Sequence, residues 1–391
     1  MRTTGHGCTG TAVAPEPVTR IGRRPTVLVA GLGDSGILTA IRLARHVGVV
    51  GISAKPELVS GQELGVRLAR PDDWARDNRV AFARYRRLDA VRRVHGVLTG
   101  VDLDARAVTV RLADGSLGVE PYDVLVISTG VTNGFWRTPD LQSVEEIDAE
   151  VRSRHEVVAA AGSVAVIGGG AAAVSAAANL RIRWPHKKID LYFPGHRAVP
   201  QHHPRAWEQV RSRLVVLGVG LHPEHRAVVP EGFACDEITH EPVQWSTGQQ
   251  AVQADAVVWA IGRVRPNTGW LPDSLLDDNG FVEVRSTLQT YARPEVFAIG
   301  DVAATDPLRS SARNRADGLL AKNIRAHLAG RPLGHYRASR SRWGSVLGVQ
   351  DDGLLFFAPD GRTIRIPAWV IHRVLLPWVV RRGIYRGVRE A

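Results

Sequence analysis

The sequence predicts an α/β fold with two Rossmann-like dinucleotide-binding domains, and three observations support this prediction. A short apolar strand at residues 26–30 runs into a glycine-rich turn and then into a helix. The same strand-turn-helix pattern returns from residue 163 onwards. Two further apolar strands, at residues 122–130 and 254–262, each end in small residues and a glycine. Strands and helices that alternate in this way are typical of parallel sheets with helices on their faces.

The first turn has the glycine spacing of a dinucleotide-binding fingerprint. Gly31 permits the tight turn, Gly33 leaves room for a pyrophosphate, and Gly36 lets the helix pack closely on the strand. The helix begins at about Asp34 and Ser35, where free backbone amides and the helix dipole favour a bound phosphate. We therefore predict a nucleotide site at this turn.

The second turn repeats the fingerprint with Gly168 and Gly170, and Ala173 takes the place of the third glycine. Ala171 begins the predicted helix. One fingerprint alone is a weak signal, but two in one chain predict two bound nucleotides. A protein that holds two such nucleotides usually passes electrons between them, so we predict an oxidoreductase.

The composition fits a protein of two or three domains. Of the 391 residues, 44% are hydrophobic, and there are two cysteines, which predicts no disulfide framework and is typical of a reducing cytoplasm. The first 25 residues lack a signal-peptide core, and no segment reaches membrane-spanning length. The formal charge is +11, but the arginines are spread along the whole chain, so we expect no nucleic-acid partner.

Neither unit has the acidic residue that usually binds a ribose at the end of the second strand. In the first unit this position is Ser53, and the nearby Lys55 either contacts a phosphate or lies in solvent on a loop. In the second unit the position is Phe193, and Arg197 follows. If Arg197 meets a 2′-phosphate, NADPH is accepted; if it is an ordinary surface residue, NADH is used. The sequence leaves both alternatives open.

Five motifs in a fixed order resemble those of the two-dinucleotide flavoprotein superfamily, which has the pyridine-nucleotide-disulfide-reductase-like fold. From the first motif to the last they span about 300 residues, which is the size of two dinucleotide-binding domains. They are the two fingerprints, Ser128-Thr129-Gly130, residues 260–262 and residues 296–301. The resemblance implies FAD at the first fingerprint and NADH or NADPH at the second.

The resemblance also implies which residues contact each cofactor. Asp301 is expected to bind the ribityl chain of FAD, and a helix that begins near Ser310 is expected to point its N-terminus at the flavin. The expected FAD contacts are Gly31, Gly33, Asp34, Ser35, Gly36, Ser53, Lys55, Thr129, Gly130, Gly300 and Asp301. The expected NAD(P)H contacts are Gly168, Gly170, Ala171, Ala173, Arg197 and Gly262. No metal site is predicted.

The same resemblance implies that the NAD(P)H-binding domain is inserted in the FAD-binding domain. A disordered tail is expected before the first domain, and an extension after the last. The expected boundaries are 1–25 for the tail, 26–145 and 265–334 for the FAD-binding domain, 146–264 for the NAD(P)H-binding domain and 335–391 for the C-terminal extension.

Disulfide-reducing members of the superfamily need a cysteine pair beside the flavin, and residues 59–65 after the second strand contain no cysteine. Electrons must therefore pass directly from the flavin to an acceptor, and no side chain is singled out as catalytic. The chain is most similar to the thiol-less type II NADH dehydrogenases and apoptosis-inducing-factor-like flavoproteins. We predict an FAD-dependent NAD(P)H oxidoreductase that passes electrons to an acceptor such as a quinone. A soluble enzyme that acts on a specialised metabolite is the alternative.

Residues 366–386 form an apolar segment that carries Trp369 and Trp378 and ends in arginines. This composition suits a membrane interface, although the segment is too short to span and Pro377 interrupts it. The segment either lies on the inner face of the cytoplasmic membrane or packs in the core or against a second copy, so the protein is a monomer or a homodimer. A hairpin over residues 343–357 is expected to pack on the flavin domain.

Overall fold

The structure is a computed structural model that describes residues 24–61, 63–305, 316–337 and 344–389. Most of the expected N-terminal tail and the expected helix start at Ser310 lie outside the described residues. The strands are β1 (Thr26–Ala30), β2 (Gly48–Ser53), β3 (Glu57–Val59), β4 (Arg79–Ala81), β5 (Val91–Asp102), β6 (Ala107–Leu112), β7 (Leu117–Pro121), β8 (Val124–Ile127), β9 (Val131–Asn133), β10 (Ser163–Ile167), β11 (Lys188–Tyr192), β12 (Gly220–His222), β13 (Ile238–Thr239), β14 (Ala256–Trp259), β15 (Val264–Pro266), β16 (Val296–Ala298), β17 (Val349–Gln350), β18 (Gly353–Phe357) and β19 (Thr363–Ile366).

In the described part of the chain, seven α-helices precede a helical segment near the C-terminus that we call the tail helix. The α-helices are α1 (Asp34–Leu43), α2 (Leu64–Ala69), α3 (Pro71–Asn78), α4 (Val144–Ala160), α5 (Ala171–Arg183), α6 (Pro204–Leu217) and α7 (Ala316–Leu328). The tail helix consists of Ala368–Val370 and Ile371–Ile384, and the second part is wound as a π-helix. Short 3-10 turns occur at Phe82–Arg84, Arg86–Leu88, Gly134–Trp136 and Asp273–Leu275.

The first sheet has seven strands in the order β16-β8-β1-β2-β5-β6-β7. The five strands from β16 to β5 are parallel, and β5, β6 and β7 pair antiparallel as a meander. Both faces of β1 are buried, because Val27 and Val29 belong to one apolar cluster and Leu28 and Ala30 to another. A strand that is apolar on both faces is typical of a parallel sheet covered on two sides.

The second sheet has five strands in the order β12-β11-β10-β14-β13. In the chain it lies between β8 and β16, which are hydrogen-bonded neighbours in the first sheet. The second unit is therefore inserted in the first, and the predicted α/β fold with two Rossmann-like units is confirmed. The chain leaves along β9 and returns along β15, and these two strands pair antiparallel.

The region between β2 and β5 is rich in arginine. It contains β3, β4, α2 and α3, and Trp74 of α3 is completely buried. A Cβ atom on Gly65 of α2 would lie 2.1 Å from the Ser175 carbonyl oxygen of α5. This glycine therefore lets α2 of the first unit pack directly on α5 of the second, which joins the two units through their helices.

The C-terminal extension forms a small antiparallel sheet of β17, β18 and β19. The predicted packing of this region on the flavin domain is found in part, because Arg70 after α2 donates to the Val349 carbonyl oxygen at 3.5 Å and lies 4.0 Å from the Asp351 carboxylate. Val346, Leu347 and Phe357 are buried in the apolar cluster that contains α5 and the second sheet. Asn179 of α5 donates from Nδ2 to the Leu347 carbonyl oxygen at 3.0 Å. The buried apolar side chains and this hydrogen bond hold the small sheet on α5 of the inserted unit, so the extension contacts both units.

The tail helix lies on the surface of the chain. Only Ile371 among its residues is buried, whereas the side chains of Trp369 and Trp378 are 64% and 58% exposed. The alternative in which this segment packs in the core is therefore wrong. The alternatives of a membrane contact and a contact with a second copy remain.

Candidate functional site

The first glycine-rich turn joins β1 to α1 with the close contacts that the fingerprint predicts. A Cβ atom on Gly36 would lie 1.8 Å from the Gly31 carbonyl oxygen, so only glycine lets α1 start this close to the strand. A Cβ atom on Gly33 would meet nothing within 4 Å, because this residue faces open space at the N-cap of α1. The turn thus presents bare backbone to that space, which is what a pyrophosphate needs.

A cavity of about 510 Å³ opens where β1, β2, β8 and β16 end. Ligands of open parallel sheets bind at the carboxyl ends of the strands, so the position agrees with the topology. Ten of the eleven expected FAD contacts line this cavity. Gly36 is the exception, because it packs α1 on the turn instead of facing the cavity. We call this space the flavin cavity.

Asp301 stands in the wall of the flavin cavity and has one oxygen free to bind a ligand. Its Oδ2 accepts a hydrogen bond of 2.7 Å from Nη1 of Arg137. Its Oδ1 is buried and, within the described ranges, has no hydrogen-bond partner. A buried acceptor without a donor is costly, and a sugar hydroxyl of a bound ligand would satisfy it. This orphan oxygen and the bare turn at Gly33 both fit FAD.

Sequence reasoning did not find Arg137. Its Nε donates to the Gly61 carbonyl oxygen at 3.1 Å, so the guanidinium ties Asp301 to the loop after β3. A Cβ atom on Gly61 would lie 2.0 Å from this same Nε. A lone arginine in a chain with many arginines carries no signal in the sequence, and only the fold brings it to the cavity.

At the end of β2, Ser53 and Lys55 both line the flavin cavity. The Lys55 ammonium donates to Oε1 of Gln142 and, at 3.3 Å, to the Asp140 carbonyl oxygen. Burial lowers the pKa of Lys55, although the carboxylates of Glu150 and Asp140 oppose that shift. The alternative of a freely solvated lysine is therefore wrong, and a phosphate contact would have to compete with Gln142.

An acid does lie near the end of β2, although not at the expected position. Glu57 of β3 lines the flavin cavity and is 9% exposed. Its Oε1 lies 2.5 Å from Nη2 of Arg79, which also contacts Asp148. The sequence signal for Glu57 was weak, because it stands four positions beyond the strand end where this acid usually occurs.

The second glycine-rich turn resembles the first at its first two glycines, whereas Ala173 carries a methyl group where Gly36 has no side chain. Gly168 has φ +140°, and a Cβ atom there would lie 2.1 Å from the Ala260 carbonyl oxygen. Gly170 is the N-cap of α5 and faces open space, as does Gly262 with φ +73°. Ala171 begins α5, and Ala173 is completely buried in that helix. The turn therefore also presents a bare helix start where a dinucleotide would bind.

The loop after β11 contains Phe193 and Arg197, the two residues of the second unit that the sequence places near an adenosine ribose. Phe193 is buried against Trp207, with ring centroids 5.4 Å apart, and therefore does not face a ligand. The Arg197 guanidinium donates to the carbonyl oxygens of Pro200 and His202 at 3.0 and 3.3 Å. Arg197 thus braces its own loop, and a contact with a 2′-phosphate stays a prediction.

His196 and Glu224 form an exposed pair beside this loop, with Nδ1 of His196 3.0 Å from Oε1 of Glu224. His196 is 90% and Glu224 is 59% exposed at the side chain. Sequence reasoning missed Glu224, because it comes from a separate segment after β12. A carboxylate at this position is the group type that binds ribose hydroxyls and repels a 2′-phosphate.

The described residues that line the flavin cavity include no cysteine. Cys235 is buried in the second unit, and burial raises the pKa of its thiol. A buried thiol of raised pKa is a poor nucleophile, so Cys235 is not suited to redox relay.

Comparison with known proteins agrees with this geometry. Residues 25–323 match the profile of the family described as pyridine nucleotide-disulphide oxidoreductase. An oxidoreductase, ptaL, of Pestalotiopsis fici is 24% identical over 350 residues, which cover 83% of this chain and 88% of that protein. The FAD-dependent oxidoreductase FVFD30 of Flammulina velutipes is 24% identical over 243 residues, with 61% of this chain and 73% of that protein covered.

The sulfide:quinone oxidoreductase of Aquifex aeolicus has a similar fold. Its structure superimposes with a TM-score of 0.68 at 18% sequence identity, and the match covers 92% of each chain. At this level of identity the likeness concerns the fold, namely two dinucleotide-binding units with one inserted in the other.

Proposed function

The chain belongs to the pyridine nucleotide-disulphide oxidoreductase family, and we propose that it passes electrons from NADH or NADPH through FAD directly to a small quinone-like acceptor. FAD-dependent NAD(P)H oxidoreductase activity follows from the family. The direct transfer and the acceptor are the proposed part. The observation that carries the proposal is a flavin cavity with a free Asp301 oxygen and no cysteine in its described wall.

The protein residues are proposed to bind and orient the cofactors. When bound, FAD accepts a hydride from the nicotinamide and releases the electrons to the acceptor. The turn at Gly33 would hold the FAD pyrophosphate, and Asp301 Oδ1 would accept a hydrogen bond from the ribityl chain. Arg137 fixes the Asp301 carboxylate, because a charge-assisted hydrogen bond orients it. The turn at Gly170 would hold the pyrophosphate of NADH or NADPH.

Two features support a quinone as the acceptor. A solved structure with a similar fold is named a sulfide:quinone oxidoreductase. In addition, the tail helix exposes Trp369, Val374, Trp378 and Val379, an apolar surface that suits contact with a lipid layer where long-chain quinones partition. No helix among the described residues is long and apolar enough to cross a membrane. We therefore propose a peripheral contact of the tail helix with the membrane surface.

The test is anaerobic reduction followed by acceptor screening. The FAD-loaded protein should lose its oxidised flavin absorbance on addition of NADH or NADPH. A short-chain quinone should then restore the absorbance at a rate comparable to steady-state turnover. Reduction without reoxidation by any quinone would contradict the quinone proposal and favour the soluble enzyme that acts on a specialised metabolite. Failure of both nucleotides to reduce the flavin would contradict the proposed electron path.

A further inference from the structure

A second cavity, of about 530 Å³, is lined almost wholly by arginines and shares no lining residue with the flavin cavity. Its lining residues are Arg86, Arg87, Arg382, Arg386 and Gly387. The first two belong to the 3-10 turn before β5, and the other three to the end of the tail helix and the turn that follows it. Two segments about 300 residues apart thus bring four positive charges together. We call this the arginine pocket.

The pocket is a built feature, because the chain end is fastened to residues 84–89 by several contacts. The Arg86 amide donates to the Gly387 carbonyl oxygen at 3.2 Å, and Tyr85 forms an antiparallel bridge with Val388. The rings of Tyr85 and Tyr385 meet edge to face with centroids 5.2 Å apart. Backbone and ring contacts therefore set the position of the pocket walls.

Acids in the described part of the chain do not neutralise the positive charge in the arginine pocket. In residues 24–61, 63–305, 316–337 and 344–389, none of the four guanidinium groups forms an ion pair with an acid. The nearest acid in the sequence, Asp89, is held by Arg389 at 2.5 and 3.0 Å. Clustered guanidinium groups repel one another, and an anion between them would remove that repulsion. Phosphate suits such a site, because its oxygens match the planar donors of arginine.

We propose that the arginine pocket binds the phosphate group of an anionic phospholipid at the membrane surface. The shared chemistry is a phosphate ester, and the neighbouring tail helix argues for a lipid as its source. Arg382 stacks over the exposed ring of Trp378 with 4.3 Å between Cζ and the ring centroid. This contact places the apolar surface of the helix next to the pocket. A headgroup in the pocket leaves its acyl chains beside Trp378. The inference rests on the proposed membrane contact of the tail helix.

The test compares charge reversal in the pocket with an equal reversal elsewhere. Co-sedimentation of the FAD-loaded full chain is measured with vesicles of phosphatidylcholine alone and of phosphatidylcholine with phosphatidylglycerol. The pocket variant is R86E/R87E. The matched control is R211E/R226E, whose side chains are exposed on the inserted unit. Each basic side chain near an anionic surface contributes about 1 kcal/mol, so loss of two should weaken binding about thirtyfold. The control should change binding by less than about threefold.

A second variant and a soluble ligand test the source of the phosphate. R382Q/R386Q removes the other two charges without reversal and should also weaken binding to vesicles with phosphatidylglycerol. Normal flavin absorbance and an unchanged thermal midpoint in both pocket variants would establish that they fold. Equal loss of binding in pocket and control variants would contradict the proposal, because general surface charge would then explain it.

Inorganic phosphate separates this inference from the proposed function. If phosphate raises the thermal midpoint of the wild type but not that of R86E/R87E, and no vesicle binds, the lipid assignment is overturned and the pocket takes a soluble phosphate compound. If phosphate leaves the thermal midpoint unchanged and the protein does not bind vesicles, the pocket is not an anion-binding site. Turnover with a short-chain quinone is measured without vesicles, so its presence or absence tests the proposed function independently of the pocket.

Discussion

Arg137 and Asp301 stand 164 positions apart in the sequence and form an ion pair of 2.7 Å in the wall of the flavin cavity. The pair joins the two parts of the first unit across the whole inserted unit. Because Arg137 holds Oδ2, the carboxylate can turn only Oδ1 to a ligand. Arg137 therefore acts as a positioning residue for Asp301, and the cavity wall is complete only after both halves of the chain have folded.

Replacement of Asp301 by alanine should weaken FAD binding by about tenfold to a hundredfold. The reason is the loss of a hydrogen bond to a charged group, which contributes about 1.5–3 kcal/mol. The measurement is a fluorescence titration of flavin-free protein with FAD. Asp278→Ala is the control, because that side chain is exposed and lies outside the cavity lining. An unchanged dissociation constant in Asp301→Ala would show that Oδ1 does not contact the flavin.

Two glycines of the first turn should respond differently to a side chain. Gly33→Val should fold normally but bind FAD at least about a hundredfold more weakly, because the new atoms enter the space that the pyrophosphate needs. Gly36→Ala should instead lower the stability of the flavin-free protein by about 1–3 kcal/mol, since its Cβ atom overlaps the Gly31 carbonyl oxygen. The measurements are urea unfolding without FAD and FAD titration. Similar stability losses in both variants would contradict this division of roles.

The turns and the strands around them could be predicted from the sequence, because their requirements are local. A strand followed by glycines at this fixed spacing forms few structures other than a strand-turn-helix unit. The elements β1, α1, β10 and α5 therefore lie within a few residues of their predicted positions. The same holds for the abrupt end of β16 before Gly300 and Asp301, where the chain must turn into the cavity.

The partners of these residues could not be predicted in the same way. Arg137 meets Asp301 only because β8 and β16 are neighbours in the first sheet. The role of Arg197 depends on the conformation of its own loop. Its guanidinium donates to the carbonyl oxygens of Pro200 and His202, and no spacing pattern in the sequence predicts these hydrogen bonds. The small sheet of the C-terminal extension contacts the inserted unit through Leu347, which packs on α5, and these two segments share no motif.

The loop after β11 is expected to control the choice between NADH and NADPH. Phe193→Glu is an unsuitable test, because this position is buried and an acid there would destabilise the fold. His196→Glu places the charge on the exposed loop beside Glu224. It should lower kcat/KM for NADPH about tenfold and leave kcat/KM for NADH within about twofold, because two carboxylates repel a 2′-phosphate.

Steady-state kinetics with both nucleotides measures this effect. His186→Glu, an exposed position before β11, adds the same charge at the other end of that strand and serves as the control. An equal fall in kcat/KM for NADH and NADPH would mean that the loop does not distinguish a 2′-phosphate from a 2′-hydroxyl group.

Substitutions in the tail helix can distinguish a membrane contact from a contact with a second copy of the chain. Removal of residues 366–391 is a poor test, because it also takes away Tyr385 from the completely buried Tyr85 and should lower stability by itself. Substitution of the exposed Trp369 and Trp378 by serine avoids this problem, since both side chains lie largely in solvent. Burial of a large apolar side chain in lipid contributes about 1.5–3 kcal/mol. The double variant should therefore lose at least about tenfold of its turnover with a long-chain quinone in vesicles, and keep its turnover with a short-chain quinone in solution.

The matched control for this prediction is the double substitution of Val215 and Val216 by serine. These side chains on α6 are 54% and 78% exposed, so the control also removes apolar surface from the solvent-facing side of the protein. It should leave both quinone activities unchanged. If the tail helix instead contacts a second copy, the tryptophan variant should change the molecular mass in solution, as measured by light scattering, with equal effects on the two quinones. That outcome would contradict the membrane contact, because only binding to the lipid surface makes the loss depend on the chain length of the quinone.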